Sequence, residues 1–187
     1  MIKLQDCISK DSFREEQQYA LATKAETVVT DANVLVVHST VELFGEEFSN
    51  SLPEDGILLS KDALISISKA TFFAIEYKAD VKQVQVTHST KSNDAIASLF
   101  PVKLNKVGLT FPQYANLFDN KSELDGEAVE IGINPKLFNN LSNAMGWNGG
   151  VELRITSSRN AIVVRNKADS LYPSAKGLIM PMMLDKV

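Results

Sequence analysis

The sequence predicts an α+β fold built from strand–helix–strand units whose sheets are mainly antiparallel. Two segments, residues 56–104 and residues 128–183, follow one plan: a short apolar strand, a helix with a recognisable start, and further strands. The strands are joined by short turns, which favour antiparallel pairing because parallel strands need a long crossover. A chain of 187 residues has room for one domain or two small ones, and its core needs no disulfide or metal.

The first segment begins with an apolar strand at residues 56–59, and Ser60 is a candidate N-cap for the helix after it. Apolar side chains then recur at helical spacing, which predicts a helix that continues to about Ala74. Alternating or continuous apolar residues predict two further strands at residues 81–87 and 95–104.

The second segment has clearer helix signals. Asn134 suits the N-cap position and Pro135 the first helical position, while Gly146 is placed to end the helix. An apolar stripe recurs between them at helical spacing, and its members are Leu137, Phe138, Leu141, Ala144 and Met145. Strands are predicted at residues 128–133, 151–156, 161–165 and 178–183.

The N-terminal part of the chain is less regular. Residues 28–30 and 34–37 have the pattern of two strands around a short turn. Residues 11–24 fit a helix by the spacing of their apolar positions, yet residues 19–23 also fit a strand, and the pattern does not decide between them. Residues 45–56 carry turn-forming residues and are predicted as a loop.

Composition argues against several classes of function. The net charge is −4, from 19 Lys and Arg against 23 Asp and Glu, so charge alone is not expected to bind nucleic acid. Cys7 is the single cysteine, which excludes an internal disulfide and fits a reducing cytoplasm. The sequence starts without a signal-peptide pattern, and no stretch approaches the ~18 apolar residues of a membrane span. We therefore expect a cytoplasmic protein with no membrane partner.

The sequence also lacks the motifs of common catalytic and cofactor sites. It contains neither a G-x-x-x-x-G-K-[ST] loop nor a G-x-G-x-x-G turn. His38 and His88 have no second His or Cys at ligand spacing, and no catalytic histidine signature lies beside Cys7. We expect a protein without enzymatic activity, cofactor or metal.

The end of the chain carries the most distinctive pattern. Residues 177–184 read Gly-Leu-Ile-Met-Pro-Met-Met-Leu, an apolar run in which two methionines flank a proline. Chain ends usually fray, so an apolar end has to be held in place. Composition alone favours a last core strand whose methionines fill gaps, although flexible Met side chains also suit surfaces that accept varied partners.

This tail resembles the C-terminal signature of bacterial DNA polymerase sliding clamps of the β-subunit type, an apolar pair followed by Met-Pro-Met-Arg-Leu. Here Met183 stands where Arg is usual. Residues 30–35 resemble the family's Thr-Asp-Gly-His-Arg-Leu, residues 111–114 resemble its Phe-Pro-Asp-Tyr linker, and residues 130–134 resemble the strand before its last inner helix. These matches occur in the family's order, and the resemblance covers most of residues 25–187.

The resemblance implies DNA-clamp-like repeats with continuous antiparallel sheets. A family chain has three domains of two half-domain units each. This sequence divides into a degraded N-terminal half-unit at residues 1–51, a clamp-like half-domain at residues 52–121 and a C-terminal clamp-like half-domain at residues 122–187. The unit that normally lies between the last two is missing.

The odd number of units leads to an expected homo-oligomer. One unit lacks an internal partner, so an apolar helix face, such as the stripe of the second helix, and unpaired strand edges would be exposed. The alternative is that residues 52–187 form one complete domain and residues 1–51 cover one of its edges, which gives a stable monomer.

In the family these segments form a hydrophobic pocket for short peptides of polymerases, the clamp loader and repair proteins. The resemblance places the corresponding residues in three parts of this chain: Thr30, Ala32, Asn33, Val34, Leu35; Pro112, Asn116, Leu117; and Leu178, Ile179, Met180, Pro181, Met182, Met183, Leu184. Basic residues of the family pattern are lost at Val34, Asn116 and Met183, which implies a more apolar pocket with altered partner choice.

The inner helices of a clamp face duplex DNA, and the resemblance implies the same for the polar faces of the two helices here. Those faces carry Lys61 and Lys69 on the first helix and Lys136 and Asn140 on the second. So few cations neutralise few phosphates, which gives weak and salt-sensitive binding. A solvated helix face with no role in DNA binding explains the same residues equally well.

The expected function is that of a sliding-clamp-like processivity factor or accessory of DNA replication that docks peptide motifs of partner proteins. The alternative is a clamp-like interaction or decoy protein that binds such peptides without encircling DNA. In both cases the partner is a DNA polymerase or another protein that carries a clamp-binding peptide.

Overall fold

The computed structural model describes residues 2–11, 13–70, 72–89, 95–105, 111, 114–118, 131–157 and 159–182. The strands in these ranges are β1 Tyr19–Ala22, β2 Glu26–Thr30, β3 Val34–Ser39, β4 Ile57–Ser60, β5 Phe72–Lys78, β6 Gln83–Ser89, β7 Ala95–Pro101, β8 Lys103–Leu104, β9 Val151–Arg154, β10 Ile162–Asn166 and β11 Lys176–Ile179. The α-helices are α1 Thr40–Phe44, α2 Glu46–Ser51, α3 Lys61–Lys69 and α4 Pro135–Met145, and short 3-10 helices span Leu4–Cys7, Glu15–Gln18 and Ala115–Phe118.

These strands form two antiparallel sheets, so the α+β fold expected from the sequence is confirmed. The larger sheet has eight strands in the order β8-β4-β1-β2-β3-β11-β10-β9, and the smaller has three in the order β5-β6-β7. The large sheet joins the two ends of the chain, because β3 pairs with β11 in a register that sets Leu35 opposite Leu178. Strands from all three expected units share this sheet, and the division into units stays a prediction. None of the described helices is long and apolar enough to cross a lipid bilayer.

The helices start at the residues that the sequence indicates. The Ser60 hydroxyl accepts a hydrogen bond from the Ala63 backbone N–H at the start of α3. The Asn134 side chain caps α4 by accepting from the Lys136 N–H at 3.0 Å. At the other end of α4, Gly146 adopts the left-handed conformation, with φ 63°, that favours glycine at a helix C-terminus.

Two expectations about local structure are wrong. The helix expected to reach about Ala74 ends at Lys69, because residues 72–78 pair with β6 along their whole length and the sheet outweighs the helical spacing. The loop expected at residues 45–56 contains α2, whose residue Phe48 is only 2 % exposed in the core. The open question at residues 11–24 is resolved as a 3-10 turn followed by β1, since β1 pairs with both β2 and β4.

Apolar side chains cover both faces of the large sheet. On one face, Val36 and Val164 pack in a cluster with residues of α3, α4 and the N-terminal turn Leu4–Cys7. On the other face, Leu35 and Leu178 pack in a second cluster with aromatic residues from the segment that connects β8 to α4. The sheet is therefore the middle layer of the fold, which explains why β3 is buried at consecutive positions.

The N-terminal turn Leu4–Cys7 lies against α4 and α3 in the same layer. The Lys3 N–H donates to the Asn143 carbonyl at 3.0 Å, and the Asn140 side chain donates to the Asp6 carbonyl at 3.1 Å. Leu4 and Cys7, the first and last residues of this turn, are buried in the core. Within one chain, Leu141, Ala144 and Met145 of the α4 stripe are fully buried, while Leu137 and Phe138 are half-buried. The expectation that this helix face would be exposed is therefore wrong for the first three residues.

Candidate functional site

The start of β3 and the end of β11 lie side by side in the interior of the large sheet and form one wall of a cavity. Beyond the last strand pair, the Met180 N–H donates to the Asn33 carbonyl at 3.0 Å, so the tail stays attached to the turn before β3. The cavity has a volume of about 380 Å³. Its lining residues are Gln17, Thr30, Ala32, Asn33, Val34, Leu35, Leu117, Arg159, Asn160, Ala161, Leu178 and Met180.

The turn between β2 and β3 is held by its own polar side chains. The Asp31 carboxylate accepts from the backbone N–H groups of Asn33, at 2.9 Å, and Val34, at 2.8 Å. The Thr30 hydroxyl donates to the Val34 carbonyl at 2.8 Å. Ala32 sits at φ 73°, a conformation in which glycine is favoured. These contacts fix the turn and so fix the backbone at the mouth of the cavity.

A polar contact holds the connecting segment against the sheet and places Leu117 at the cavity. The Tyr114 hydroxyl donates to the Glu26 carboxylate at 3.1 Å, and the second oxygen of Glu26 pairs with the Lys176 ammonium at 3.1 Å. The same ammonium lies 5.0 Å from the centre of the Phe118 ring. Burial and the neighbouring Glu26 charge raise the pKa of Tyr114, so its phenol stays protonated and remains a donor.

The structure brings together most of the residues expected in this pocket and leaves some outside it. Thr30, Ala32, Asn33, Val34, Leu35, Leu117, Leu178 and Met180 line the cavity, whereas Asn116, Ile179, Pro181 and Met182 do not. The expected pocket residues Pro112, Met183 and Leu184 lie outside the described residues.

The exclusion of Ile179 follows from strand geometry. Side chains on a strand alternate between its two faces, so Leu178 and Met180 share the cavity side while Ile179 enters the opposite core cluster and is fully buried. Met182 instead pairs with Gly132, whose carbonyl accepts the Met182 N–H at 2.8 Å. Asn116 is exposed on the surface of its 3-10 turn.

Four lining residues were not found from the sequence: Gln17, Arg159, Asn160 and Ala161. Gln17 is only 7 % exposed, and its side-chain oxygen Oε1 has no hydrogen-bond partner among the described residues. Arg159 is exposed and belongs to a turn in which the Ser157 hydroxyl accepts from the N–H groups of residues 159 and 160. The sequence indicated that turn but not its position beside β11. Arg159 supplies a positive charge to a pocket whose expected basic positions are occupied by neutral residues.

A second, polar cavity of about 900 Å³ lies where the first turns of α3 and α4 meet the N-terminal segment. Lys61, Lys136 and Asn140, three of the four expected DNA-facing residues, line it, and Lys69 lies at the other end of α3. The remaining charged residues of its lining are Lys10 and Arg14, which are basic, and Asp6, Asp11 and Asp31, which are acidic. The three carboxylates offset much of the basic charge.

The described residues contain no group of His, Cys, Asp and Glu side chains that could hold a metal ion. His38 is fully buried, and its Nε2 donates to the Ala144 carbonyl at 2.8 Å, which connects β3 to α4. Burial lowers the pKa of His38, only partly opposed by that hydrogen bond and by the charge of Glu42. Burial raises the pKa of the Cys7 thiol, so this cysteine is a protonated core residue.

No protein-family model and no curated protein sequence matches this chain. Solved structures do match it. The antiparallel sheets and the few helices packed against them match the DNA-clamp fold of these structures. The fold is that of the β subunit of bacterial DNA polymerase III, the sliding clamp, as the resemblance of the tail predicted.

Three of these structures illustrate the match. The β subunit from Thermotoga maritima is 14 % identical with a TM-score of 0.57, and the match covers 98 % of this chain and 63 % of that one. The H. pylori β clamp in complex with diflunisal is 17 % identical with a TM-score of 0.63, and the match covers 97 % of this chain and 62 % of that one. The sliding clamp from Bacillus subtilis is 12 % identical with a TM-score of 0.58, and the match again covers 97 % of this chain and 62 % of that one. This chain therefore spans less than two thirds of the length of these clamps.

Proposed function

We propose that this protein is a sliding-clamp-like accessory of DNA replication that docks short peptide segments of partner proteins and has no catalytic activity of its own. The observation that carries the proposal is the cavity at the β3–β11 junction, where the residues indicated by two separate motifs of the sequence lie side by side. A partner with an exposed clamp-binding peptide, such as a DNA polymerase, fits this surface.

The lining of the cavity indicates what such a peptide contains. Leu35, Leu117, Leu178 and Met180 offer an apolar surface for large apolar side chains of the peptide. Burial of two such anchors supplies about 3–6 kcal/mol before the cost of ordering the peptide. Micromolar affinity requires about 8 kcal/mol, so polar contacts must contribute as well.

Two polar residues are placed to make those contacts. Arg159 stands at the rim with no acidic partner among the described residues, so it favours a peptide with an Asp or Glu beside its apolar anchors. The Gln17 amide lines the cavity, and its oxygen, which has no hydrogen-bond partner among the described residues, is available to accept from a peptide N–H.

A binding assay with a synthetic peptide tests the proposal. The probe is a fluorescein-labelled peptide with two adjacent large apolar residues next to an aspartate, measured by fluorescence polarisation. Leu117→Asp is expected to weaken binding by about 10-fold to 100-fold, because it places a charge against the apolar anchors. Leu117 is 41 % exposed, so the change leaves the core intact.

The matched control is Leu171→Asp, the same substitution at an exposed leucine outside the cavity, which should bind as the unmodified protein does. The unmodified protein should bind the aspartate peptide more tightly than the same peptide with asparagine at that position. Arg159→Glu should reverse this order. Unchanged affinity in a folded Leu117→Asp variant contradicts the proposal.

The alternative function, peptide binding without encircling DNA, is favoured by the polar cavity at the helix starts. Its four basic residues, Lys10, Arg14, Lys61 and Lys136, face three carboxylates, and a surface with nearly balanced charges releases few counterions from DNA. We expect the protein alone to bind linear duplex DNA with a Kd on the order of 10⁻⁵ M or weaker at physiological salt. Tight binding that is lost in Lys61→Ala plus Lys136→Ala would instead support the encircling clamp.

A further inference from the structure

A third cavity, of about 320 Å³, lies at the core cluster that packs against the helices. Five separate parts of the chain build it: the N-terminal segment, α1, α3 with the residue that follows it, β5, and the loop between β10 and β11. It shares no lining residue with the cavity at the β3–β11 junction. Leu4, Leu64 and Ala70 of its lining are buried, whereas Phe73 is 36 % exposed, so the cavity reaches from the core to the surface.

Two aromatic walls of this cavity are held in place by neighbouring groups. The Phe44 ring packs edge-to-face against Phe48, with 5.2 Å between the ring centres, and against Phe73 at 6.3 Å. The Tyr172 ring packs edge-to-face against His38 at 5.7 Å, and the Tyr172 carbonyl accepts from the Asn166 side chain at 3.0 Å. These contacts fix the lining side chains, as is typical of a preformed ligand site.

The lining limits the chemistry of a ligand. It contains no charged side chain, and Tyr172 is its one residue with a polar side chain. An ion would lose its hydration here without gaining a partner, so the cavity excludes charged molecules. Burial raises the pKa of Tyr172, so its phenol stays protonated at neutral pH and can both donate and accept a hydrogen bond.

The volume limits the size of the ligand. An apolar cavity of about 150 Å³ lined by Leu, Ile and Phe side chains binds benzene. This cavity has about twice that volume, which suits two fused rings. The edge-to-face preference of aromatic rings favours a planar aromatic molecule between Phe44 and Tyr172 over an alkyl chain of the same volume.

We propose that this cavity binds an uncharged aromatic molecule of about two rings that carries one hydroxyl group. Its rings lie against Phe44 and Phe73, and its hydroxyl group makes a hydrogen bond with the Tyr172 hydroxyl.

Isothermal titration calorimetry of the full chain with 2-naphthol at about pH 7 tests the proposal. Saturable binding of one molecule per chain is expected, with a Kd on the order of 10⁻⁴ M for a ligand of this size. The second probe is 2-naphthalenesulfonate, which has the same rings and a negative charge. It should bind at least about 10-fold more weakly, because the cavity offers it no cation.

Two variants on one short helix locate the site. Leu43→Trp extends a lining residue of α1 into the cavity and should abolish binding of 2-naphthol. Val41→Trp, the same change at a 41 % exposed residue of α1 outside the lining, is the matched control and should bind normally. Tyr172→Phe keeps the aromatic wall and removes the hydroxyl, and it should weaken binding by about 2-fold to 10-fold.

Absence of saturable binding of 2-naphthol to the unmodified protein overturns the inference. Equal binding of the sulfonate, or equal binding by Leu43→Trp and Val41→Trp, overturns it as well. If Leu43→Trp fails to fold, Tyr172→Phe decides, and an unchanged affinity in that variant contradicts the proposed hydrogen bond.

The inference does not rest on the peptide pocket. Leu117→Asp should bind 2-naphthol as the unmodified protein does, and Leu43→Trp should bind the fluorescent peptide with unchanged affinity. Displacement of the peptide by 2-naphthol would place the molecule in the junction cavity instead and would overturn the inference. The two proposals can therefore fail separately.

Discussion

β3 in the large sheet and β7 in the small sheet are both apolar strands, yet they end up in opposite environments. β3 is buried at every position except its last residue, because helices cover one of its faces and the aromatic connecting segment covers the other. β7 is exposed or half-exposed along its whole length. The comparison teaches that an apolar run identifies a strand but does not say whether the chain itself or a second molecule covers it.

The largest expected effect is the difference in unfolding free energy between a Leu→Ala substitution in the large sheet and the same substitution in the small sheet. Leu59→Ala removes a fully buried side chain from β4 and should cost about 2–5 kcal/mol of unfolding free energy, since the site cannot collapse around the gap. Leu99→Ala, at an exposed position in β7, should change it by no more than about 0.5 kcal/mol in dilute, monomeric protein. Urea denaturation measures both, and equal costs would contradict the distinction between the sheets.

A smaller effect is expected at Gly177 in β11, against which α4 packs. A Cβ at Gly177 would lie 2.6 Å from Leu141 Cδ1, 2.9 Å from Met145 Sδ and 3.1 Å from the Leu35 carbonyl oxygen. Gly177→Ala should therefore destabilise the protein by about 1–3 kcal/mol, because the helix has to shift. Gly149→Ala, which meets no atom within 4 Å, is the control in thermal unfolding. Equal melting temperatures would show that the contact relaxes without cost.

The smallest effect concerns His38, which connects β3 to α4. Burial lowers its pKa in the folded state below the ordinary 6.5, so the unfolded chain binds the extra proton more readily. The stability that the neutral ring provides is present above pH 6.5 and is lost as pH falls through the folded-state pKa, with a slope of at most about 1.4 kcal/mol per pH unit. Urea unfolding at several pH values should show this slope in the unmodified protein and a shallower one in His38→Gln.

The sequence predicted those features that depend on local chemistry. Asn134 and Gly146 mark the ends of α4 because capping is decided within a few residues. The motif at residues 30–35 and the tail indicated one wall of the cavity, and the structure places them side by side. Ile179 was expected in the pocket because the motif was carried over as a continuous run, but strand alternation places it on the opposite face.

Other features depend on contacts between distant parts of the chain. Nothing near Gln17 or Arg159 indicates a pocket, since both come to line the cavity only when distant parts of the chain fold together. The helix of the first segment stops at Lys69 because a neighbouring strand competes for the residues that follow. The apolar face of α4 packs against Leu4 and Cys7, which lie more than a hundred positions earlier in the chain. Periodicity within a segment carries no information about such partners.

The pairing of β3 with β11 also has a consequence for how the protein is made. Glu26 and Lys176, which form an ion pair beside this junction, are 150 positions apart in the chain. A ribosome releases the N-terminal strands long before β11 exists, so the edge of β3 waits unpaired during most of synthesis. Contacts of such long range also make folding slow after release. The junction cavity forms only after β11 has been made, so a chain that ends before residue 176 should not bind the labelled peptide.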